Sequence, residues 1–491
     1  MSKKVAVIGG GFSGLSAACY LAQAGFTVTI FEKNDTVGGR NRKFIEEGFT
    51  FEMGPSWYWM PEVFDRFFSD FNKSRSDYYG LTKLNPSFSI IFKDKVKVDL
   101  PSEKEDLIHL FESIEKGAGK QLVAFMDDAK YKYDTSMGNL IYKPGKSLLE
   151  YVNLEVIRGI FKLNLFSNFK KFVRKHFSDD RLTAIMDFPV LFLGSAPENT
   201  PALYSLMNYA GLLLGTWYPE NGMYRIIESM ESVARELGVK IITNADVSKI
   251  NTSKTEVQSL IVNGSEHQFE ALVASGDYKH METLLPENFR NYTDSYWNTR
   301  TLAPSSLIFF LGINKKIEGL DHHTLFFDES LEDHSSEIYK NPSWPEKPLF
   351  YVCTPSKTDL STAPEGCENL FILMPIAPGL EDSESIREKY FEIIMDRIEK
   401  QTNSSIRDAI IFKKSYCIND FISDYHSFKG NAYGLANTLG QTAVLKPKLN
   451  NKKLKNMVYA GQLTVPGPGM PPALISGKLA AQEIINHFKK G

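Results

Sequence analysis

Val5-Ala6-Val7-Ile8 runs straight into Gly9-Gly10-Gly11-Phe12-Ser13-Gly14, and this junction restricts the fold more than any other feature of the chain. The apolar run reads as a buried parallel strand. The glycines spell G-x-G-x-x-G, a helix rich in alanine is expected over Leu15 to Ala24, and Gly25 stands where its C-terminal cap belongs. A second apolar strand, Val28 to Phe31, ends at Glu32, 18 residues past Gly14. Together these elements form the dinucleotide-binding βαβ fingerprint; the glycine pattern alone would be weak. Gly9 permits the tight turn, Gly11 lets backbone approach a pyrophosphate, and Gly14 lets helix and strand pack closely. The helix start offers free N–H groups and partial positive charge. Glu32 would accept hydrogen bonds from a ribose diol and repel a 2′-phosphate, which disfavours NADP.

Gly38-Gly39-Arg40 follows six residues beyond Glu32, after Lys33, and Met53-Gly54-Pro55-Ser56 comes next. An acid followed by Gly-Gly-Arg resembles the flavoprotein superfamily of amine oxidases and carotenoid desaturases, in which this turn serves the FAD diphosphate. Arg40 suits that role because its planar fork grips phosphate oxygens. The Met53–Ser56 segment resembles the one this superfamily places beside the flavin.

The far end of the chain repeats the pattern. Met457 to Gly461 reads as a buried strand, Gln462 to Pro472 as a loop rich in glycine and proline, and about Ala473 to Phe488 as a helix with Pro472 in its first turn. A helix start aimed at the isoalloxazine would stabilise negative charge on a reduced flavin. The expected fold is mixed α/β: a Rossmann-like FAD-binding domain built from segments 1–70, 215–285 and 426–491. A helical, lipophilic lobe (71–214) and a mixed-sheet substrate domain (286–425) complete it.

The chain also resembles the bacterial-type phytoene desaturase family along nearly its whole length. The resemblance rests on both termini and on Gly215–Met223, Gly238–Ile250, Val273–Tyr278, Pro304–Ser306, His322-His323, Pro355–Asp359, Gly430–Gly434 and Gln441–Ala443. It departs at Val465, where the family commonly has histidine, at Pro471-Pro472 in the later turn, and at Asn221-Gly222, where one usual glycine is missing. The resemblance implies FAD as cofactor, with binding residues Gly9, Gly11, Phe12, Ser13, Gly14, Glu32, Lys33, Gly39, Arg40, Met53, Gly54, Val247, Gly461, Gln462, Gly469 and Met470. Val247 is placed at the adenine end.

The activity this implies is desaturation of a lipophilic carotenoid, either an acyclic carotene such as phytoene or a hydroxycarotenoid at its 3,4 bond. Oxygen or a quinone would reoxidise the flavin, since a single dinucleotide fingerprint leaves nicotinamide without a site. No motif fixes a catalytic base. A redox-neutral isomerase or a retinoid saturase would share these motifs. A non-catalytic lipid escort resembling GDP-dissociation inhibitors would share the fold without needing the intact Glu32, Gly39 and Arg40.

Composition bounds the partners. A net charge of -3 over 491 residues gives no reason to expect nucleic acid. Four cysteines without ligand spacing suggest a reducing cytoplasm rather than disulfides. No signal peptide or membrane-spanning run is seen. Residues 156 to 177 carry six basic residues and no acid among many phenylalanines, so 156–193 is a candidate peripheral membrane contact. A surface helix with a buried stripe fits that stretch equally well. Trp57, Tyr58, Trp59, Phe188 to Leu193 and Tyr209 to Trp217 are read as either tunnel wall or core. His322 and His323 are expected to point apart on a strand and to hold no metal.

Overall fold

The computed structural model describes residues 2–138, 140–147, 150, 167–191 and 193–490. Lys4–Ile8 (β1), Thr27–Phe31 (β2), Lys240–Ile242 (β3), Ala271–Ala274 (β4) and Met457–Tyr459 (β5) form one sheet in the order β5-β4-β1-β2-β3. Every pairing is parallel, with Val7 opposite both Ile30 and Val273, and Val273 opposite Val458. Val5 to Ile8 are buried throughout, as a strand covered on both faces requires. The helix Phe12–Gln23 (α1) crosses from β1 to β2 and ends as expected, with Gly25 at φ +90° after the cap. It packs on Tyr224–Glu236 (α2) and on Met470–Lys490 (α3). Ser16 Oγ donates to the Leu474 carbonyl at 2.7 Å, and a Cβ on Gly477 would fall 2.2 Å from the Ser13 carbonyl oxygen. The last helix therefore lies directly on the first.

A seven-stranded sheet stands beside this layer, ordered 410–416, 305–313, 368–376, 350–353, 323–326, 88–91 and 97–100. Only the pairing of 323–326 with 88–91 is parallel. Ser305–Ile313 is buried at every position and sorts its side chains by alternation. Leu307, Phe309, Leu311 and Ile313 join a core with the helix Glu384–Thr402, while Ile308 and Phe310 face the main core. The strands at 88–100, within the stretch read as a helical lobe, complete this sheet instead. A smaller antiparallel sheet, Val247–Thr252, Val257–Val262 and Ser265–Gln268, lies next to β2 and β3. All four cysteines are free, and Cys19 is buried in α1. Among the described residues, no helix is long and apolar enough to cross a membrane.

Candidate functional site

The glycine turn is fixed from three directions. Gly9 takes φ +97° and its N–H donates to the Phe31 carbonyl at 2.8 Å. Ser275 Oγ, beyond β4, lies 2.8 Å from the Ile8 carbonyl oxygen and 2.9 Å from that of Gly9. Glu32 Oε2 accepts from the Gly10 N–H at 2.7 Å, and Oε1 from the backbone and side-chain nitrogens of Asn34 at 2.9 and 3.0 Å. The carboxylate thus organises the turn as well as facing the cavity, with lone pairs left for a ribose. Gly11 has extended backbone, and a Cβ there would meet nothing closer than Gly39 Cα at 3.8 Å. No side chain caps α1, so its first N–H groups remain available to a ligand.

Arg40 joins three distant segments. Its Nη2 donates to Ser427 Oγ at 3.1 Å and to the Asn431 carbonyl at 3.2 Å, and its guanidinium lies 5.1 Å from the Tyr425 ring centroid. Turned oxygen-first, the Gln462 amide accepts from Nη2 at 3.0 Å. The Nε of Arg40 is buried with no partner, so it is the part of the fork left for a ligand. Gly54 presses on this turn: a Cβ there would sit 1.9 Å from the Arg40 carbonyl oxygen.

The C-terminal turn meets the N-terminal one. A Cβ on Gly461 would lie 3.4 Å from Ser13 Oγ, and the Gly461 N–H donates to Ser476 Oγ at 3.0 Å. Gly469 leads at φ +108° into α3, which starts at Met470, three residues before the expected Ala473. A single cavity of about 920 Å³ is lined by every expected binding residue except Gly14. Gly14 is a packing residue: its Cβ would fall 1.9 Å from the Gly9 carbonyl oxygen and 2.6 Å from Ser275 Oγ. Lys33 lines the cavity while its ammonium donates to the Ser423 carbonyl. The glycine cradle, the uncapped helix start and the orphaned Arg40 nitrogen fit a dinucleotide.

Sequence reasoning gave no site role to several polar groups here: Asp277 and His280 line the cavity from the start of a short helix and His426 from the end of another, while Lys446 lies beside Gly467. Asp277 caps the helix Tyr278–Thr283 at the His280 N–H and also accepts from the Phe428 N–H, both at 3.2 Å. His280 stacks on His426 at 3.9 Å, and burial holds its pKa down to about 4. Lys446 is buried without a partner, its Nζ 3.2 Å from where a Gly467 Cβ would be. Desolvation lowers its pKa to about 7. Between pH 7 and the ordinary lysine value the unfolded chain holds this proton and the folded one does not, so stability rises with pH across that window. Lys446→Met is expected to abolish that slope and to stabilise the protein near pH 7 by on the order of a few kcal/mol. Melting temperatures of both proteins across pH 6 to about 9 check it.

The remaining wall is apolar. Trp57, Trp59, Phe188, Leu191 and Leu193 line the cavity, whereas Tyr58 and Val190 are turned into the core. Gly211 makes room for Trp59, whose ring lies 2.6 Å from its built Cβ position. The described residues of this run, 188–191 and Leu193, therefore serve both as wall and as core, a division set by contacts that composition does not carry. His322 and His323 do not diverge: the strand begins at His323, and their rings pack 4.5 Å apart at 71°. Residues 156–166 lie outside the described residues. In the remainder of that basic stretch Phe169, Val173 and Phe177 are buried, while Lys170 pairs with Glu332 at 2.6 Å and Arg174 with Asp187 at 2.9 Å. That is the pattern of a surface element with a buried stripe.

The family model described as flavin containing amine oxidoreductase matches residues 12–485. The chain belongs to that family. It is 39% identical over 483 residues to a carotenoid 3,4-desaturase of Haloarcula japonica, covering 98% of both chains. It is 29% identical to a zeta-carotene-forming phytoene desaturase of Myxococcus xanthus, covering 98% of this chain and 94% of the other. Among solved structures, an oxidoreductase from Methanosarcina mazei shares the fold at a TM-score of 0.65 and 16% identity, covering 98% of this chain and all of that one. The chain is thus an FAD-dependent oxidoreductase of the carotenoid desaturase type. The reading of a non-catalytic escort falls with that assignment.

Proposed function

We propose that this enzyme introduces a double bond at the 3,4 position of a hydroxylated carotenoid. Segments 1–70, 215–285 and 426–491 would hold the cofactor. The observation that carries the reading is the continuity of one cavity from the two glycine turns to the aromatic wall of Trp57, Trp59 and Phe188. The extensive similarity to the Haloarcula desaturase supports the choice of bond. FAD, when bound, supplies the hydride acceptor. The protein's part is to hold a rigid polyene with its allylic C–H bond against that acceptor and to exclude water. Aromatic rings suit this task because they offer broad apolar contact at low entropic cost. Glu32, the α1 start and Arg40 would orient the nucleotide, and Gly461 to Met470 the ring system.

Anaerobic incubation with liposomes carrying hydroxylated carotenoids or phytoene tests the proposal. The hydroxylated substrate should bleach the flavin and move the polyene absorbance to longer wavelength. Bleaching with phytoene alone would reassign the substrate, and a spectral shift without bleaching would make the protein an isomerase. No response to either would reject carotenoid desaturation.

The substrate is soluble only in lipid, so the proposed enzyme works at a membrane surface on the cytoplasmic side. Leu445 lines the cavity yet is 53% exposed, and Val444, Leu140 and Ile141 line the same cavity. An apolar lip of this kind suits contact with the acyl boundary. Leu445→Glu is expected to weaken co-sedimentation with anionic vesicles by about tenfold. Its flavin content should stay unchanged; undiminished vesicle binding would place the contact elsewhere.

A further inference from the structure

We propose that His322, His323 and Cys353 bind a zinc ion behind the cavity wall, a site separate from the flavin. His323 opens one strand of the second sheet and pairs directly with Cys353 on the next. His322 precedes that strand, so the alternation that would separate two adjacent side chains does not apply to it. One ring nitrogen of each histidine and the Cys353 sulfur lie within 4.8 Å of one another, all fully buried.

The hydrogen bonds around these rings already have the form of a ligand shell. His322 Nδ1 lies 2.7 Å from Thr358 Oγ1, and His323 Nδ1 2.5 Å from the Tyr351 hydroxyl. Both Nε2 atoms are buried with no partner, which is costly for neutral imidazoles unless something accepts their lone pairs or protons. A metal-bound histidine characteristically has its second nitrogen held in this way, with the tautomer fixed and the free nitrogen aimed at the ion. Two imidazoles and a thiolate suit zinc better than the hard, oxygen-seeking cations. The fourth position is open to water or to Tyr218, whose buried hydroxyl lacks a partner and whose ring packs 4.7 Å from that of His322.

The location gives the ion a structural task. His323 stacks on Trp57 at 4.0 Å and 11°, and Trp57 lines the cavity. An ion tying 322–323 to 353 would hold that wall still.

The test is metal analysis of the purified flavin-loaded protein, after growth in zinc-supplemented medium and dialysis. About one zinc per chain is expected, with a zinc-edge X-ray absorption spectrum showing nitrogen and sulfur neighbours. Cys353→Ser should remove the sulfur contribution, and His322→Gln should lower zinc retention at least about tenfold, in both cases with flavin content unchanged. The wild-type spectrum decides the matter if these variants fail to fold. Protein that neither carries nor takes up zinc, or a spectrum without sulfur, overturns the proposal. Because zinc and flavin are counted separately, a failure here leaves the desaturase reading standing, and the converse also holds.

Discussion

Gly11→Val is expected to yield a folded protein that has lost its flavin. A Cβ at this position would meet nothing within the protein closer than Gly39 Cα at 3.8 Å and the Gly38 carbonyl oxygen at 4.0 Å, both ordinary contacts. The backbone at Gly11, φ -78° and ψ -173°, is one that valine adopts readily. The penalty therefore falls on the complex. Displacing a diphosphate from direct backbone contact should weaken FAD binding by at least about a hundredfold, or roughly 3 kcal/mol. Flavin absorbance per chain and FAD titration would show this, with near-ultraviolet circular dichroism confirming the fold. Normal flavin content in the variant would remove the N-terminal turn from the cofactor site.

Gly14→Ala, three residues on and chemically milder, is expected to damage the fold itself. The added methyl would lie 1.9 Å from a backbone oxygen of Gly9, inside the turn that joins β1 to α1. No rotamer relieves a clash with backbone, so β1 and α1 must move apart, and α1 is already pinned by α3 through the Ser13–Gly477 contact. A loss of more than about 3 kcal/mol follows, seen as a large drop in melting temperature or as insoluble protein. If Gly14→Ala instead melted like the wild type and lost only flavin, the packing role assigned to Gly14 would be wrong.

These two glycines show what was legible in the sequence. Strand, turn and helix at 5–25 follow from local rules, and the structure places them within a residue or three of their expected bounds. The terminal segments converge as their shared pattern implied, because parallel strands need a common sheet. Arg40 was recognisable as a cavity residue, but its partners at 427, 431 and 462 were not, since nothing local encodes contacts almost four hundred residues apart. The same holds for Lys446 and for the stacking of His280 on His426, which brings together a short helix and the cap of another that lie far apart in the chain. The histidine pair misled for a simpler reason. Alternation was applied to a strand that begins one residue later than supposed.

The order of strands in the first sheet also governs when the protein can acquire its cofactor. β4 lies between β1 and β5, and the floor of the cradle is shared by α1 and α3. A ribosome that has made the first 450 residues has thus produced the N-terminal glycine turn without the part of the cavity wall that runs from Gly461 to Ala473. On the proposed placement of the flavin, its capture waits for the segment 457–477 to emerge. Clipping α3 should release flavin before it unfolds the seven-stranded sheet, as flavin fluorescence and circular dichroism followed together would show.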